Sequence, residues 1–158
     1  MRIWRICREV HAAGAFKGEG ARRFGGRWNS RGVPVVYCSS SLALATVELF
    51  VHLEPAQAPS DLVCLSATLP EGEPARTIHP EDLPRDWPAD EFAAGSTRDL
   101  GDRWIRDVSS LALLVPSVPI RPEWNVLVNP LHPRIGELIV DPPLPFVFDA
   151  RMFRSAAK

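Results

Sequence analysis

The sequence predicts a single α+β domain with mixed or antiparallel sheets and few helices. Its 158 residues, of which 46% are hydrophobic, suit one domain that buries its own core. Short apolar runs bounded by proline or glycine outnumber the segments with helical periodicity. Because strands and helices do not alternate regularly along the chain, the pattern favours an α+β arrangement over a parallel βαβ sheet.

The first part of the chain is expected to contain strands, one long loop and one helix. A short strand over residues 3–7 precedes a Gly- and Arg-rich loop over 14–32, and a buried strand follows over 35–39. The serines at 39–41 can cap a helix, because a serine hydroxyl accepts hydrogen bonds from the free amides of a first helical turn. Apolar residues at helical spacing then predict a helix over 42–53: Leu42, Ala45, Leu49 and Leu53.

The second part is expected to be richer in strands. A strand over 62–68 lies in a proline-rich region, and a short helix over 98–108 includes Gly101 and Trp104. Apolar runs bounded by proline or glycine predict four further strands, over 110–115, 126–128, 137–140 and 146–148. Neither GxGxxG after a strand nor GxxxxGK[ST] occurs in the sequence, which excludes a Rossmann fingerprint and a P-loop.

Charge is unevenly distributed, although the formal net charge is only -1. Residues 1–34 carry eight Lys or Arg and two Glu, a net of +6, so the remaining residues carry −7. The near-neutral total argues against direct binding of DNA or other nucleic acid, which would need a basic excess. The basic N-terminal segment indicates that an anionic group is held near it.

The sequence is expected to belong to a cytoplasmic protein without a metal site. The N-terminus mixes charges with apolar residues, unlike a secretory signal, and the uncharged residues 33–47 are too few to span a membrane. Three widely separated cysteines without CxxC spacing indicate reduced, buried thiols. The four histidines lack metal-ligand spacing.

Arg27 is a candidate for anion binding because it follows two glycines in the segment GGRWN. Glycines let the backbone turn sharply or approach a ligand closely, and a guanidinium offers a planar fork that suits phosphate oxygens. Since Gly-Gly-Arg is a short motif, a surface turn with a solvated arginine is an equal alternative.

Glu48 is a second candidate, as the one charged residue between Leu42 and Val51. A carboxylate in an apolar setting is costly unless it has a partner or a function. The alternatives are that it lies on the exposed polar stripe of an amphipathic helix, or that it pairs with His52 four residues later.

Three further residues are candidates for ligand contacts. Ser117 lies between two prolines that hold its backbone rigidly, although no nucleophile elbow surrounds it, so a turn serine is the default. Tyr37 ends a strand and could belong to the core or stack on a ring. Asn129 could orient a ligand hydroxyl or begin a turn, and the turn is favoured for a single asparagine before proline.

Taken in order along the chain, several segments resemble the RES domain family, which is named after an Arg, a Glu and a Ser. The segments are 22–29 (RRFGGRWN), 36–39 (VYCS), 44–48 (LATVE), 101–104 (GDRW), 115–117 (VPS), 129–130 (NP) and 148–151 (FDAR). The family residues would be Arg27, Glu48 and Ser117. The resemblance covers most of the chain and implies one RES domain over 1–158, with a fold similar to that of the ADP-ribosyltransferases.

The resemblance also implies a function, namely the toxin of a bacterial type II toxin–antitoxin pair that acts on NAD⁺ as substrate and needs no further cofactor. It implies a helix-turn-helix antitoxin from the adjacent gene as partner, with no DNA binding by the toxin itself, and allows a toxin homodimer within the complex.

The resemblance suggests a role for each candidate residue. Arg27 would hold the pyrophosphate and Glu48 would stabilise the cationic ribose that forms as nicotinamide leaves. Tyr37 would border the nicotinamide ring and Ser117 would orient the ring or the ribose, while Arg5 and Asn129 are weaker ligand candidates.

The acceptor of the ADP-ribose stays open among water, phosphate and a protein side chain. A glycohydrolase, a phosphorylase and a protein ADP-ribosyltransferase are therefore alternatives, with NAD⁺ degradation favoured. A non-catalytic module whose arginines contact an acidic partner or RNA is a further hypothesis of a different class.

Overall fold

One mixed β-sheet organises this computed structural model, which describes residues 1–53, 59–88 and 95–153. The strands of the described residues are β1 (Arg2–Arg8), β2 (Val36–Ser39), β3 (Leu62–Thr68), β4 (Arg76–Thr77), β5 (Ala112–Pro116), β6 (Trp124–Val128), β7 (Ile139–Val140) and β8 (Leu144–Pro145). Their order is β4-β5-β6-β2-β1-β3-β7, and β8 also pairs with β3. The β4–β5 pair is parallel and the other pairs are antiparallel. The predicted α+β class with a mixed sheet is confirmed.

Helices α1 (Glu19–Phe24), α2 (Leu42–Phe50) and α3 (Gly95–Asp107) accompany the sheet. The predicted serine cap is confirmed at Ser41, whose side chain accepts a hydrogen bond from the Leu44 amide at 3.1 Å. Helix α3 ends at Asp107, and the next residue, Val108, has a left-handed backbone conformation with φ of 49°. None of the helices in the described residues is both long enough and apolar enough to cross a membrane.

Shorter 3-10 turns connect these elements, and one of them overlaps a predicted strand. The turns cover Glu9–Gly14, Pro80–Asp82, Pro133–Glu137 and Ala150–Phe153. The predicted strand over 137–140 is therefore reduced to β7. The predicted helix over 42–53 ends earlier, at Phe50, because the backbone tightens there and His52 N donates to Leu49 O.

The predicted loop over 14–32 is wrong in part, because it contains α1. Gly18, with φ of 73°, stands directly before this helix, and Gly25, with φ of 74°, directly after it. Glycines with positive φ are typical of such boundaries, so residues that suggest a loop are here the ends of a helix. No residue of α1 is buried, which explains why the sequence lacks an apolar stripe.

The predicted strand over 146–148 is also wrong, and the strand lies two residues earlier as β8. Phe146 N still donates to the carbonyl of Leu62, but Leu62 is the first residue of β3. The strand that pairs with β8 therefore ends at this point. The aromatic side chains pack instead against the end of α2. The ring centroids of Phe148 lie 5.9 Å from Phe50 and 5.6 Å from Phe153.

The core lies on both faces of the sheet. Neighbouring residues of β6 point to opposite sides, so that Val126 and Val128 belong to one buried cluster and Leu127 to another. The second cluster includes Trp104 and Ile105 of α3, which packs on that face. Because β1, β2 and β6 lie in the middle of the sheet and pair with a strand on each side, their backbones have fixed positions.

Candidate active site

A cavity of about 760 Å³ brings together residues that are far apart in the sequence. It is lined by parts of β1, residues 26–28, β2 and α2, and by residues near the end of β5 and the start of β6. Of the six predicted site residues, four line this cavity: Arg5, Arg27, Tyr37 and Glu48. Ser117 and Asn129 do not line it.

Glu48 on α2 carries a carboxylate with one oxygen held by two donors. Ser117 Oγ donates to Oε1 at 2.7 Å, and Asn125 Nδ2 donates to the same oxygen at 2.5 Å. Among the described residues no donor contacts Oε2. The carboxylate is therefore oriented by the protein, with one oxygen left to meet a ligand in the cavity.

The predicted pairing of Glu48 with His52 is wrong. No hydrogen bond or ion pair joins them in the described part of the chain, since α2 ends at Phe50 and His52 lies in the turn that follows. His52 is exposed and lines the same cavity.

Arg27 is held by contacts on both its side chain and its backbone, which argues against a solvated surface arginine. Its Nη1 donates to Trp87 O at 2.7 Å, and its own carbonyl accepts from Thr97 Oγ1 at 2.8 Å. Arg98 Nε donates to Gly26 O at 3.1 Å. The arginine loop, residues 25–30, is thus fixed by the first turn of α3.

Tyr37 supports the arginine loop from the side of β2. Its hydroxyl donates to Asn29 Oδ1 at 2.8 Å and accepts from Trp28 N at 3.0 Å. The hydroxyl lies so close to Gly26 that a Cβ added there would come within 2.7 Å of it. Tyr37 is half-buried and also lines the cavity, so it packs in the protein while part of its side chain borders the space where a ligand would bind.

Asn29 is a structural residue that the sequence reasoning missed. It is fully buried, and its Nδ2 donates to Ala21 O at 2.9 Å and to Val33 O at 2.8 Å. These bonds join α1 to the segment before β2. A single asparagine after Gly-Gly-Arg-Trp resembles a turn residue, and only the folded chain shows how many carbonyls surround it.

Arg5 on β1 adds a second guanidinium to the cavity wall. Its Nη1 donates to Tyr37 O at 2.9 Å, while its buried Nε has no hydrogen-bond partner among the described residues. Cys38 lies beside it on the wall. Burial raises the pKa of the Cys38 thiol to about 12, against the opposing effect of Arg5, so the thiol stays protonated and is no nucleophile.

Asn129 is corrected from a ligand contact to a structural residue. It is fully buried, its Nδ2 donates to Ile105 O at 3.1 Å, and its Oδ1 accepts from Leu131 N at 2.9 Å. Its side chain joins α3 to the turn after β6. The alternative of a turn residue therefore describes it better.

Ser117 lies behind the cavity wall and contacts Glu48 instead of the cavity. It is fully buried, and its Oγ accepts from Ile120 N at 3.1 Å while donating to the carboxylate. The predicted direct contact with a substrate ring or ribose is thus replaced by a contact with the acidic residue. Its role in the site is to orient Glu48.

The pattern of the whole sequence matches a known family. The model of the RES domain matches residues 2–149. This chain belongs to the RES domain family. "Toxin Res" of Yersinia enterocolitica is 35% identical over 153 residues, which cover 96% of this chain and 99% of the relative. The "Prs ADP-ribosylating toxin" of a Sphingobium species is 35% identical over 158 residues, which cover 98% of each chain.

The fold of this RES domain is shared with a solved structure. A chain in the crystal structure of the M. tuberculosis MbcT–MbcA toxin–antitoxin complex has a TM-score of 0.67 and 19% sequence identity. The match covers 96% of this chain and 86% of that chain.

The RES domain site contains chemistry for binding an anion and stabilising a cation. Two guanidiniums suit phosphate oxygens, and an oriented carboxylate suits positive charge that develops on a bound ligand. No group of three or more His, Cys, Asp or Glu side chains with the geometry of a metal site occurs in the described ranges.

Proposed function

We propose that this RES domain is the toxin of a toxin–antitoxin pair and that it consumes NAD⁺ by cleaving the bond between nicotinamide and ribose. The observation that carries the proposal is the Glu48 carboxylate, held at Oε1 and lining the same cavity as Arg27 and Arg5. The toxin names of the two relatives over nearly the full chain support the biological role.

The cavity suits a dinucleotide in size and charge. Its volume of about 760 Å³ falls within the range typical of small-molecule sites. Arg27 would bind the pyrophosphate, since its guanidinium is already held in one place and loses little freedom on binding. Arg5 would add a second positive charge, and Tyr37 would border the nicotinamide ring.

Glu48 would lower the barrier to bond cleavage. The bond between the ribose C1′ and the nicotinamide nitrogen breaks, its electron pair goes to the nicotinamide, and the ribose becomes cationic. A carboxylate oxygen near that ribose stabilises the charge as it forms. Because nicotinamide leaves as a neutral molecule, no general acid is needed.

Release of nicotinamide from NAD⁺ by the purified protein tests this proposal. Glu48→Gln keeps the shape of the side chain and removes its charge, so we expect kcat to fall about 10²- to 10³-fold. Glu71→Gln, which changes an exposed glutamate outside the cavity, is the matched control and should keep the wild-type rate. Absence of release by the wild type, or equal release by Glu48→Gln, would refute the proposal.

The name of the Sphingobium relative favours a second candidate, transfer of ADP-ribose to a protein. The two reactions share the bond cleavage and differ in the acceptor. NAD⁺ labelled in its adenine, added to a cell lysate, separates them: transfer gives a labelled protein band, and degradation gives labelled ADP-ribose or its phosphate with no band.

The proposed partner is an antitoxin with a helix-turn-helix domain, encoded by the adjacent gene, which would cover the cavity. The toxin–antitoxin complex that contains the structural neighbour supports an antitoxin partner. DNA binding would belong to the antitoxin, and the toxin would act in the cytoplasm, where NAD⁺ is its substrate and no further cofactor is required. A toxin homodimer within the complex remains part of this proposal.

A further inference from the structure

A chain of hydrogen bonds runs from the middle of the sheet to the Glu48 carboxylate. Ser39 Oγ donates to Asn125 Oδ1 at 2.8 Å, and Asn125 Nδ2 donates to Glu48 Oε1 at 2.5 Å. Ser39 and Asn125 are directly opposite each other in the β2–β6 ladder. Both backbones are therefore fixed by strand pairing, and the two hydrogen bonds of the amide hold it between Ser39 and Glu48.

The chemistry of the partners determines which way the Asn125 amide points. An ionised carboxylate can only accept hydrogen bonds, so the NH₂ group must face Glu48. The amide oxygen then faces Ser39, whose hydroxyl can supply the proton. Reversal of the amide would place two oxygens against each other, so the arrangement has one low-energy state.

Ser117 completes the environment of the same oxygen. Its Oγ accepts from Ile120 N at 3.1 Å, which directs its own proton towards Glu48 Oε1. An oxygen of a carboxylate has two lone pairs, and Oε1 receives two donors. Oε2 is therefore the oxygen available to a ligand.

From this geometry we propose that Asn125 is a positioning residue that acts through Glu48. It fixes the carboxylate so that Oε2 faces the reacting ribose, and it contributes to kcat without being consumed or protonated. The inference rests on the proposed NAD⁺ cleavage. It extends the site beyond Arg27, Glu48 and Ser117 to the pair Asn125 and Ser39.

Asn125→Asp is the decisive variant because it changes one NH₂ group into an oxygen at nearly constant shape. At low pH the introduced carboxyl carries a proton and can donate it to Glu48 Oε1, as the amide does. When that proton leaves, two negative oxygens repel each other and the carboxylate turns away. We therefore expect the variant to be active at acidic pH and its kcat to fall as pH rises. The pH profile of the wild type should lack this fall.

Three other variants separate positioning from a general loss of structure. Asn125→Ala should lower kcat about 10²-fold at every pH, because a misplaced reactive group costs about that much, with little change in KM. Ser39→Ala keeps the Asn125 amide but removes the hydroxyl that donates to the amide oxygen, so it should cause a smaller loss of kcat. Thr46→Ala changes a side chain of α2 whose hydroxyl donates to Leu42 O and which does not line the cavity, and it should keep the wild-type kcat.

The measurements are nicotinamide release against pH and, independently of activity, the side-chain ¹³C resonance of Glu48, assigned by its loss in Glu48→Gln. In Asn125→Asp the resonance should titrate in two coupled steps. An identical pH dependence of kcat and of the resonance in the wild type and Asn125→Asp would overturn the positioning role. Failure of the wild type to release nicotinamide would instead refute the proposed function, and the coupled titration would still report the Asn125–Glu48 contact.

Discussion

At the scale of single residues, Gly26 shows how closely the arginine loop is packed. A Cβ at this position would lie 2.7 Å from Tyr37 Oη, 3.1 Å from Tyr37 Cζ and 3.2 Å from Asn29 Oδ1. The tyrosine ring and the asparagine are themselves held by hydrogen bonds, so neither can move away freely. The glycine is thus required by the space available, and that space determines where Arg27 stands.

Gly26→Ala should destabilise the protein by about 1–3 kcal/mol, the usual cost of overpacking a well-packed site. It should also raise KM for NAD⁺, because the loop that carries Arg27 must shift. Gly20→Ala is the matched control: nothing lies within 4 Å of its added Cβ, and it replaces a helical glycine. In urea unfolding, the Gly20→Ala control should raise the free energy of unfolding by about 0.5–1 kcal/mol. A Gly26→Ala protein as stable as the wild type would contradict the packing argument.

The residues of the site differ in how well the sequence indicates them. Glu48 is predictable because a lone charge stands out on an apolar helix. Asn125 is not, because its meaning depends on a cross-strand partner 86 positions away and a carboxylate 77 positions away. The family resemblance points to Ser117, but its contact with Glu48 in place of the cavity is set by burial that sequence spacing does not reveal.

At the scale of elements, Glu73 joins three parts of the fold. Its Oε1 accepts from Leu111 N at 3.1 Å, just before β5, and its Oε2 pairs with Arg134 Nη1 at 2.7 Å in a 3-10 turn. The side chain is only 8% exposed. The backbone hydrogen bond from Leu111, followed by the hydrogen bond from Arg134, lowers the pKa of the Glu73 carboxyl.

A carboxyl whose pKa is lower in the folded state stabilises the fold above its unfolded pKa and ceases to do so as pH falls through the folded value. Glu73→Gln should therefore cost about 1–2 kcal/mol at neutral pH, where the charged hydrogen bonds are complete. The difference from the wild type should shrink below the usual titration range of a glutamate. The free energy of unfolding in urea, measured for both proteins at pH 7 and at pH 3, tests this prediction.

Glu137→Gln is the control for this prediction, since Glu137 pairs with the same arginine from an exposed position. Its effect should be smaller at neutral pH, because water screens the exposed pair. An equal loss at pH 7 and pH 3 for Glu73→Gln would show that the carboxylate charge is not what stabilises the junction.

The elements themselves were predictable where an apolar pattern is long enough. The helix over 42–53 and the strand over 62–68 follow from periodicity and from a continuous apolar run, and both are confirmed in type and place apart from the last turn of the helix. Helix α1 escapes prediction because it has six residues and no buried face. Strands β7 and β8 have two residues each, too few for a pattern.

At the scale of the whole molecule, the basic first 34 residues serve two purposes. Arg5 and Arg27 line the cavity, as the predicted anion site requires. Three others form ion pairs: Arg2 with Asp141, Arg8 with Asp61 and Arg22 with Glu19. The charge asymmetry of the sequence thus brings two guanidiniums to the cavity, while Arg2 and Arg8 join distant segments of the chain.

Because the site is assembled from residues between β1 and β6, ligand binding should be coupled to global unfolding. NAD⁺ added to Glu48→Gln, which should bind it without consuming it, is expected to stabilise the fold by about 2.7 kcal/mol at a hundredfold excess over Kd. Thermal unfolding with and without NAD⁺ measures the shift.

Arg27→Ala in the same background should lose most of this stabilisation. Arg23→Ala is the control, since Arg23 is exposed, lies in the same basic segment and does not line the cavity. Equal shifts for the two arginine variants would contradict a pyrophosphate contact by Arg27.

The contacts that fix Arg27 and Glu48 also set a time at which the site can form during synthesis. The Thr97 side chain that bonds to Arg27 O is synthesised 70 residues after Arg27. The partners of Glu48, Ser117 and Asn125, follow it by 69 and 77 residues. A nascent chain cannot orient the carboxylate before most of its length has left the ribosome, because these partners are not yet present. The oriented carboxylate can therefore form only after Asn125 has emerged and the strand that carries it has paired.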